Sequence, residues 1–320
     1  WRWTRSRVRH QLPGSHYSRG SRPIIAGSSR TMHGFINIDK PLGITSHDVV
    51  SRLRRITRIK RIGHAGTLDP AASGVLVVAV GQATRLIEYV QDDTRKRYHA
   101  QITLGSATDS DDATGTVIAT APIPTLTQTA IEVVLTGLTG NIMQVPPKVS
   151  ALHVDGQRMY DLARQGKAPD LPARPVTVFA ITLYRWDAHT IEIDVECGKG
   201  TYIRAIARDI GLMLGTQAHL STLRRTMVGS FVDTDALTLD TLTIEQVQAH
   251  LVSPLHAIRH LTHITIDDEQ VRRVRNGLPL RTADTLEDEV ALCDVQHHLI
   301  AIARRSNGQL SPQKVFQWSD

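Results

Sequence analysis

The sequence predicts an α+β fold built on a mixed, mainly antiparallel sheet flanked by helices. Several segments alternate apolar and polar residues as strands do, and stripes with helical spacing are interspersed among them. The links between these segments are of hairpin length and lack the regular spacing of βαβ units, which favours antiparallel pairing. A chain of 320 residues also has room for more than one domain.

The first strand and helix are predicted from a short stretch near Thr45. GFINIDKP alternates as a strand and ends in a turn at proline and glycine. Thr45 followed three residues later by Asp48 predicts a capping box, so residues 46–57 are expected to form a helix. Further on, GVLVVAV predicts a buried strand and RYHAQITLG alternates cleanly as another strand.

Three later segments complete the predicted main domain. TIEIDVECGKG alternates as a strand with one polar face, and it leads directly into TYIRAIARDIGLMLG, which has a helical apolar stripe. LTLDTLTIEQVQAHLVSPLHA is expected to close the domain with a helix. From about residue 260, the alternating VALCDVQHHLIAIARR predicts a small β-rich module. The expected boundaries are therefore 32–259 for the main domain and 260–320 for the module.

The basic charge of the chain is concentrated at its start. The net charge is +6, but residues 1–31 contain seven arginines and no acid, and the remaining residues carry 30 basic and 31 acidic side chains. Residues 1–31 lack apolar periodicity and are predicted to be a disordered basic extension. An organellar transit peptide has a similar composition. We favour an extension or a misplaced start, since Met32 stands immediately before the first strand.

Composition excludes several classes of protein. No apolar run approaches the roughly 18 residues of a membrane span, so a membrane role is not expected. The two cysteines, Cys197 and Cys293, form no CxxC pair, which argues against a disulfide framework and for a reducing, cytoplasmic compartment. The sequence contains no HExxH spacing, phosphate loop or dinucleotide-binding turn, so we expect no metal and no cofactor.

Asp69 is the residue most in need of an explanation. TLDP alone is typical of a structural turn. Here it lies among small residues, in GHAGTLDPAASG, that allow a bulky ligand to approach the backbone. The preceding residues 51–61 carry six basic side chains and no acid. Such a run is often a solvated helix face, but a phosphate backbone would neutralise it. Together these features suggest an acid that faces a nucleic acid.

A single carboxylate limits the chemistry. Hydrolysis by two carboxylates needs a second acid at a definite distance, and the D[ST]G motif of aspartic proteases is missing. TDSDDATG superficially resembles a calcium loop but has Ala113 and Thr114 where a ligand and a glycine are needed, so a turn with local hydrogen bonds is expected. Asp69 is left as a nucleophile or a base.

Several blocks of the sequence, taken in order, resemble the TruB family of tRNA pseudouridine synthases. The resemblance extends from about Met32 to the C-terminus, and the blocks GHAGTLDPAASG, KRY and GTYIR are its most specific parts. The other blocks are HGFINIDKPLGITSHDVV, KRYHAQITLGSATDSDDATG, VPPKVSALHVDGQRMYDLARQG, CGKGTYIRAIARDIGLMLGTQAHLSTLRRT and LSPQKVF.

The resemblance implies a pseudouridine synthase fold, a PUA-like RNA-binding module at residues 260–320, and a set of site residues. Asp69 matches the catalytic aspartate, Tyr98 the tyrosine that stacks on the flipped base, and Arg204 the arginine that pairs with the aspartate. By spacing alone, Tyr98 is equally well a core tyrosine and Arg204 an exposed helix arginine. His64 matches a histidine that fills the space left by the flipped nucleotide. Four further residues match positions at or near the uridine pocket: Tyr202, Leu223, Lys40 and Asp112.

The implied reaction is the isomerisation of uridine-55 in the T arm of tRNA, without metal, cofactor or obligate protein partner and with a monomeric enzyme. Residues 51–61 and the segment from Arg158 to Lys167 are expected to bind phosphates. Two alternatives stay open. One is an RNA-binding module that has lost the reaction, although Asp69, Tyr98 and Arg204 are all present. The other is a synthase that works only within a guide-RNA complex.

Overall fold

The computed structural model describes residues 32–92, 95–149, 153–154, 157–159, 169, 171–283 and 288–318. The predictions for residues 1–31 lie outside the described residues. So do those for the segment Arg158–Lys167, apart from the backbone at Arg158 and the buried Met159. No helix in the described ranges is both long enough and apolar enough to cross a bilayer.

Seven α-helices have both ends among the described residues: α1 (Ser46–Thr57), α2 (Ile87–Asp92), α3 (Gln128–Gly137), α4 (Ile203–Met213), α5 (Ile244–Ala249), α6 (Pro254–Ala257) and α7 (Asp268–Arg275). Two short 3-10 helices cover Gly81–Leu86 and Asp233–Asp235. The strands up to residue 186 are β1 (Gly34–Lys40), β2 (Ile62–Ala65), β3 (Ala72–Val80), β4 (Lys96–Leu104), β5 (Ser106–Thr108), β6 (Val117–Thr120), β7 (Gly140–Gln144), β8 (His153–Val154), β9 (Gln157–Arg158) and β10 (Arg174–Trp186). The later strands are β11 (Thr190–Cys197), β12 (Ala218–Val228), β13 (Phe231–Val232), β14 (Leu237–Thr238), β15 (Thr262–Thr265), β16 (Leu280–Arg281), β17 (Asp288–Cys293), β18 (Leu299–Ser306) and β19 (Gln309–Val315).

A ten-stranded sheet organises most of the chain. Its strands follow the order β14, β1, β3, β12, β4, β11, β10, β7, with β2 beside β3 and β13 beside β12. Every described pair in this sheet is antiparallel except β1 with β14 and β3 with β12. The predicted mixed, mainly antiparallel sheet is confirmed.

Alternation along β4 separates the two faces of this sheet. Tyr98, Ala100 and Ile102 point into a hydrophobic cluster that also contains the apolar faces of α3 and α4. Each fully buried aliphatic side chain in such a cluster contributes about 1.5–3 kcal/mol. On the opposite face, His99 is only partly buried, and its Nδ1 lies 2.9 Å from a carboxylate oxygen of Asp194 on β11. The predicted polar face of β11 is therefore present.

Helix α1 spans the predicted residues 46–57, and its capping box is formed as expected. The Asp48 N–H donates to Thr45 Oγ1 over 3.1 Å, and the Thr45 N–H donates to Asp48 Oδ2 over 2.8 Å. The helix ends at Arg58, whose φ of 62° is left-handed. Its apolar face, including Val49 and Leu53, packs against β1 and β3.

The segment 237–258 differs from the single helix predicted there. It forms the short strand β14 and then two short helices, α5 and α6. The break covers residues 250–253, where Val252 forms two backbone hydrogen bonds with Phe35 of β1, over 2.7 and 2.8 Å. The next helix begins at Pro254, because proline is well suited to a first helical position. Ser253 caps the new helix by accepting a hydrogen bond from the His256 N–H over 3.3 Å.

A second sheet follows, with strand order β15, β17, β18, β19, β16 and with α7 packed on it. The two sheets share one hydrophobic cluster. Phe316 and Ile302 from the second part are fully buried against residues of the first, including Phe35, Val75 and Leu86. The β-rich module is thus joined to the main sheet through an apolar core.

Candidate active site

The loop that carries Asp69 connects β2 to β3 and is fixed by the start of α1. The Ser46 hydroxyl donates to the Leu68 carbonyl over 3.1 Å and lies 2.9 Å from the Leu68 N–H, which donates to it. The Gly43 N–H donates to the Pro70 carbonyl over 2.8 Å. The Asp69 side chain stays 46% exposed, so its carboxylate is open to a ligand.

Arg204 joins Asp69 to a second carboxylate. It lies in the first turn of α4, its side chain is only 8% exposed, and its Nη2 is 3.2 Å from Asp69 Oδ2. Its Nη1 is 3.3 Å from Asp112 Oδ2 and donates to the Ser110 carbonyl over 3.1 Å. A planar guanidinium suits this double contact, because its donors point in fixed directions.

Asp112 is held by the turn that the sequence predicted. Its Oδ1 accepts hydrogen bonds from Ser110 Oγ (2.8 Å), the Thr114 N–H (2.9 Å) and Thr114 Oγ1 (2.6 Å). The turn is attached to β12 through two backbone hydrogen bonds to Leu220, of 2.9 and 3.0 Å. These hydrogen bonds fix the Asp112 side chain so that its Oδ2 faces Arg204.

Asp69, Asp112 and Arg204 line one cleft, with a volume of about 290 Å³ that includes space open to solvent. The remaining lining is mostly small or apolar: Ala71, Ala72, Ala113, Leu220, Ser221, Thr222 and Leu223. Such a cleft places a charged pair beside apolar walls that could accept a flat ring.

Tyr98 lies in the core beside this cleft. It belongs to the same hydrophobic cluster as Ala72 and Leu223, two of the lining residues, and is 8% exposed. Burial raises the pKa of its hydroxyl, and the Arg225 guanidinium opposes that rise. The hydroxyl is therefore neutral at ordinary pH in this structure.

Lys40, the last residue of β1, and His64, in β2, lie near the Asp69 loop. Lys40 is fully buried, and its Nζ donates to the carbonyls of Pro41 (2.9 Å) and Ile44 (2.8 Å). Burial lowers the pKa of Lys40 to about 8, although the Asp69 charge acts in the opposite direction. His64 on β2 has its pKa lowered, first by burial and then by the charge of Arg225.

Tyr202 is the N-cap of α4, two residues before Arg204. Its N–H donates to Gln144 Oε1 over 2.8 Å, and its carbonyl accepts from Gln144 Nε2 over 3.2 Å. This pair of hydrogen bonds attaches the start of α4 to the end of β7. The position of Arg204 therefore depends on a strand at the edge of the sheet.

Two residues of the site were missed by the sequence reasoning. Ser46 follows a capping residue, and no local signal shows that its hydroxyl holds Leu68. Arg225 is almost completely buried and donates to backbone carbonyls of the Asp69 loop. Its neighbour Arg224 is paired with Asp39 and Asp233, so the two arginines look alike in sequence but face opposite sides of the sheet.

The site as a whole combines one accessible carboxylate, a buried arginine that orients it, and an apolar cleft. No cluster of three metal-ligating side chains occurs among the described residues. This arrangement can present an oriented carboxylate, as a nucleophile or as a base, to a flat ring in the cleft.

Two family descriptions match consecutive parts of the chain. Residues 54–203 match "TruB family pseudouridylate synthase (N terminal domain)", and residues 204–260 match "tRNA pseudouridylate synthase B C-terminal domain". The tRNA pseudouridine synthase B of Trichormus variabilis is 41% identical over 293 residues, covering 89% of this chain and 99% of that protein. The protein of the same name from Heliobacterium modesticaldum is 45% identical over 250 residues, covering 77% and 81%.

Two solved structures are similar to this chain in fold. Cbf5 in a Cbf5–Nop10–Gar1 complex is similar with a TM-score of 0.69 and 28% identity, covering 89% of this chain and 85% of that one. An H/ACA RNP bound to a substrate RNA containing 2′-deoxyuridine is similar with a TM-score of 0.68 and 26% identity, covering 90% and 87%. The chain belongs to the TruB family of pseudouridylate synthases and is therefore an isomerase. The family resemblance stated from the sequence is confirmed.

Proposed function

We propose that the chain converts uridine-55 in the T loop of tRNA to pseudouridine and that Asp69 is its catalytic nucleophile. The observation that carries this proposal is the Arg204 guanidinium, which lies 3.2 Å from the exposed Asp69 carboxylate at the mouth of an apolar cleft. The names of the relatives, tRNA pseudouridine synthase B, support tRNA as the substrate.

The reaction balances without a co-reactant. The Asp69 carboxylate attacks the nucleoside, the C1′–N1 bond breaks, and the detached uracil turns within the cleft. A C1′–C5 bond then forms and the bond to Asp69 breaks, which frees the carboxylate. C5 loses a proton and N1 gains one, so the product is an isomer of the substrate. Arg204 balances the negative charge of Asp69 and fixes its orientation, since a guanidinium donates in fixed directions.

The remaining site residues serve an extruded base. Taking a base out of a folded RNA costs a few kcal/mol. His64 fills the vacated space with a flat ring, and its lowered pKa favours the neutral imidazole there. Tyr98 stacks on the flipped base and Leu223 lines the cleft for it, while Tyr202 holds the start of α4, which carries Arg204. Lys40 and Asp112 act behind these residues, on Asp69 and Arg204 respectively.

RNA is bound by surfaces outside the cleft. Arg55, Arg58 and Lys60 are exposed at the end of α1 and in the loop that leads to β2. These cations contact phosphates of the T arm, so binding weakens as salt rises. Residues 260–320 act as a PUA-like RNA-binding domain beside the catalytic domain, residues 32–259. The enzyme works as a monomer and needs no protein partner, unlike the Cbf5 complexes named above.

Replacement of Asp69 by asparagine tests the proposal. We expect Asp69→Asn to abolish pseudouridine formation in an unmodified T-arm stem-loop while RNA affinity stays within a few-fold, because the phosphate contacts lie elsewhere. Asp240→Asn is the matched control, since Asp240 is an exposed acid that pairs with Arg52. Normal turnover by Asp69→Asn contradicts the assignment.

Mapping pseudouridines in unmodified tRNA incubated with the purified protein alone tests the substrate. Modification only at uridine-55 supports the proposal. Binding without modification indicates the RNA-binding module that has lost the reaction. Modification that appears only after guide RNA is added indicates a synthase that depends on a complex.

A further inference from the structure

Arg225 is the largest side chain buried almost completely in the described chain, with an exposed fraction of 1%. It follows Arg224 on β12, and the alternation of the strand sends the two side chains to opposite faces. Arg224 forms a two-point contact with Asp39 and also pairs with Asp233 at the partly exposed face. Arg225 points into the protein, beneath the Asp69 loop.

The Arg225 guanidinium contacts the chain before and after Asp69, first in the Asp69 loop and then in β3. Before the aspartate, Nη2 donates to the Gly66 carbonyl over 3.1 Å and Nη1 to the Thr67 carbonyl over 3.4 Å. After it, Nε donates to the Val75 carbonyl over 2.8 Å. One rigid group therefore spans the loop that positions the carboxylate, and it does so from a strand 150 residues away in sequence.

Close backbone packing leaves this contact little freedom. Arg225 pairs with Gly74 in the β12–β3 ladder, and a Cβ added to Gly74 would lie 2.2 Å from the Arg225 carbonyl oxygen. Gly74 also has a φ of 101°, which favours glycine. The loop and the arginine are thus held at a fixed separation.

Tyr98 meets the same guanidinium. Tyr98 and Arg225 are opposite each other in the β12–β4 ladder, and the arginine interacts with the tyrosine hydroxyl. The titratable groups around that hydroxyl are Arg225 on β12, Cys197 on β11 and Asp69 in the loop. Arginine has only donors, so the tyrosine oxygen faces it as an acceptor.

The charge of Arg225 is not required for packing. Among the described residues, no carboxylate lies within ion-pair distance of it, and its acceptors are backbone carbonyls and the neutral Tyr98 hydroxyl. Burying a charge without a counter-charge is costly. The buried guanidinium is better explained by the groups that it holds in place, which are the Asp69 loop and the Tyr98 hydroxyl.

We propose that Arg225 is a positioning residue that holds the Asp69 loop and the Tyr98 ring in one geometry, without contact with the RNA. The proposal rests on the function assigned above to Asp69 and Tyr98. Misplacement of a reacting group by about 1 Å can cost roughly 100-fold in rate. Loss of Arg225 should therefore slow the chemical step and leave RNA binding unchanged.

The test compares Arg225→Met, Arg225→Lys and the control Arg224→Met. Single-turnover rates at saturating T-arm RNA report the chemical step, filter binding reports affinity, and circular dichroism reports the folded fraction. We expect Arg225→Met to lose roughly 100-fold in rate with affinity within about threefold. Arg225→Lys should be faster than Arg225→Met but slower than the parent, since lysine keeps the positive charge but lacks the planar guanidinium with its fixed donors. Arg224→Met should stay within about threefold of the parent rate.

A double mutant separates positioning from general stability. If Arg225 acts through Tyr98, the rate loss from Arg225→Met should be smaller in a Tyr98→Phe background, because one of its contacts is already absent. An unchanged rate in Arg225→Met, or a loss that matches the loss of folded protein, overturns the proposal. So does full additivity with Tyr98→Phe.

Tyr98→Phe alone keeps the proposal testable if the Arg225 variants do not fold. It removes only the hydroxyl that faces Arg225, so we expect a slower chemical step at unchanged affinity, and a parent-like rate overturns the proposal. Its outcome is separate from that of the proposed function. An inactive Asp69→Asn with a fully active Arg225→Met rejects only the role of Arg225, whereas an active Asp69→Asn rejects both.

Discussion

At the scale of single residues, the site depends on how two carboxylates share one guanidinium. Asp69 faces the cleft, whereas Asp112 is 9% exposed and fixed by hydrogen bonds within its own turn. Arg204 is therefore anchored on the Asp112 side and presents its other nitrogen to Asp69. In the proposed reaction Asp112 would act through Arg204, so the charge of Asp112 should matter more than its shape.

Asp112→Asn tests this dependence. The substitution keeps the size of the side chain but removes the charge that holds Arg204. Hydrogen bonds to charged groups contribute about 1.5–3 kcal/mol, and a loss of that size corresponds to roughly a 10- to 100-fold lower rate. Single-turnover assays should show this loss at unchanged RNA affinity. Asp109→Asn is the control, because Asp109 is exposed in the same turn; equal effects of the two variants would contradict the argument.

Lys40 leads to a prediction on pH and stability. Its pKa is lowered from 10.5 to about 8, first by burial. Between these two values the unfolded chain holds a proton that the folded chain has released, so this residue makes the free energy of unfolding rise with pH. Below pH 8 both states are protonated and the buried charge lowers stability by a constant amount.

The free energy of unfolding of Lys40→Met should therefore exceed that of the parent protein at neutral pH, and the difference should shrink as the pH rises. The measurement is urea unfolding of both proteins at pH values below and above the pKa of about 8. Lys60→Met, which alters an exposed lysine, is the control. A difference between Lys40→Met and the parent that does not vary with pH would show that Lys40 is not perturbed.

These residue contacts also show where sequence reasoning stops. Asp69 could be identified from its small neighbours and the basic run before it. Arg204 could not be distinguished from an exposed helix arginine by spacing, because its two partners lie 135 and 92 residues earlier in the chain. Arg225 had no local signal at all, since its acceptors are backbone carbonyls and these leave no trace in the sequence.

At the scale of elements, α1 has its own N-terminal capping box and also supports the Asp69 loop. Its bounds could be predicted because Thr45 and Asp48 are close in sequence and their hydrogen bonds are local. The support of the loop could not, because Ser46 reaches Leu68 only after β2 and β3 have paired. The same reason explains the break between α5 and α6, where Val252 pairs with the distant Phe35 of β1.

A pair of adjacent substitutions separates the two roles of this helix. Ser46→Ala leaves the buried N–H and carbonyl of Leu68 without their described partner, at about 1–3 kcal/mol for each, so we expect both lower stability and a slower chemical step. Thr45→Ala removes a cap worth about 1 kcal/mol and should leave the rate per folded molecule unchanged. Urea unfolding with single-turnover assays checks this, and equal rates in the two variants would contradict it.

At the scale of the whole molecule, charge is distributed less simply than the sequence suggested. The six basic residues at 51–61 were expected to need a polyanion, but Arg52 pairs with Asp240 over 2.8 Å and Arg54 donates to the Ile62 carbonyl over 2.9 Å. The exposed cations Arg55, Arg58, Lys60 and Arg61 remain for phosphates, although Arg61 also donates to Thr84 Oγ1 over 2.8 Å. From the sequence, the main sheet could be predicted only as mixed and mainly antiparallel. Its strand order could not be predicted, because strand pairing joins segments that are distant in the chain.

Removal of residues 1–31 is the prediction that belongs to this scale. It takes away seven arginines and leaves 30 basic against 31 acidic residues. The described contacts of Asp69, Arg204 and Asp112 lie within the remaining chain, so the single-turnover rate on T-arm RNA should be unchanged. Affinity should fall at low salt, because each lost phosphate contact makes the dependence of log K on log salt less steep by roughly 0.7–0.9.

A second variant distinguishes charge from chain length in this experiment. Replacing the seven arginines of residues 1–31 with glutamine keeps the length and removes the charge. Filter binding between 50 and about 200 mM salt should give the same reduced slope for this variant as for the deletion, because the extension acts through counterion release and not through a specific contact. A large loss of rate in either protein would instead place part of the extension at the active site.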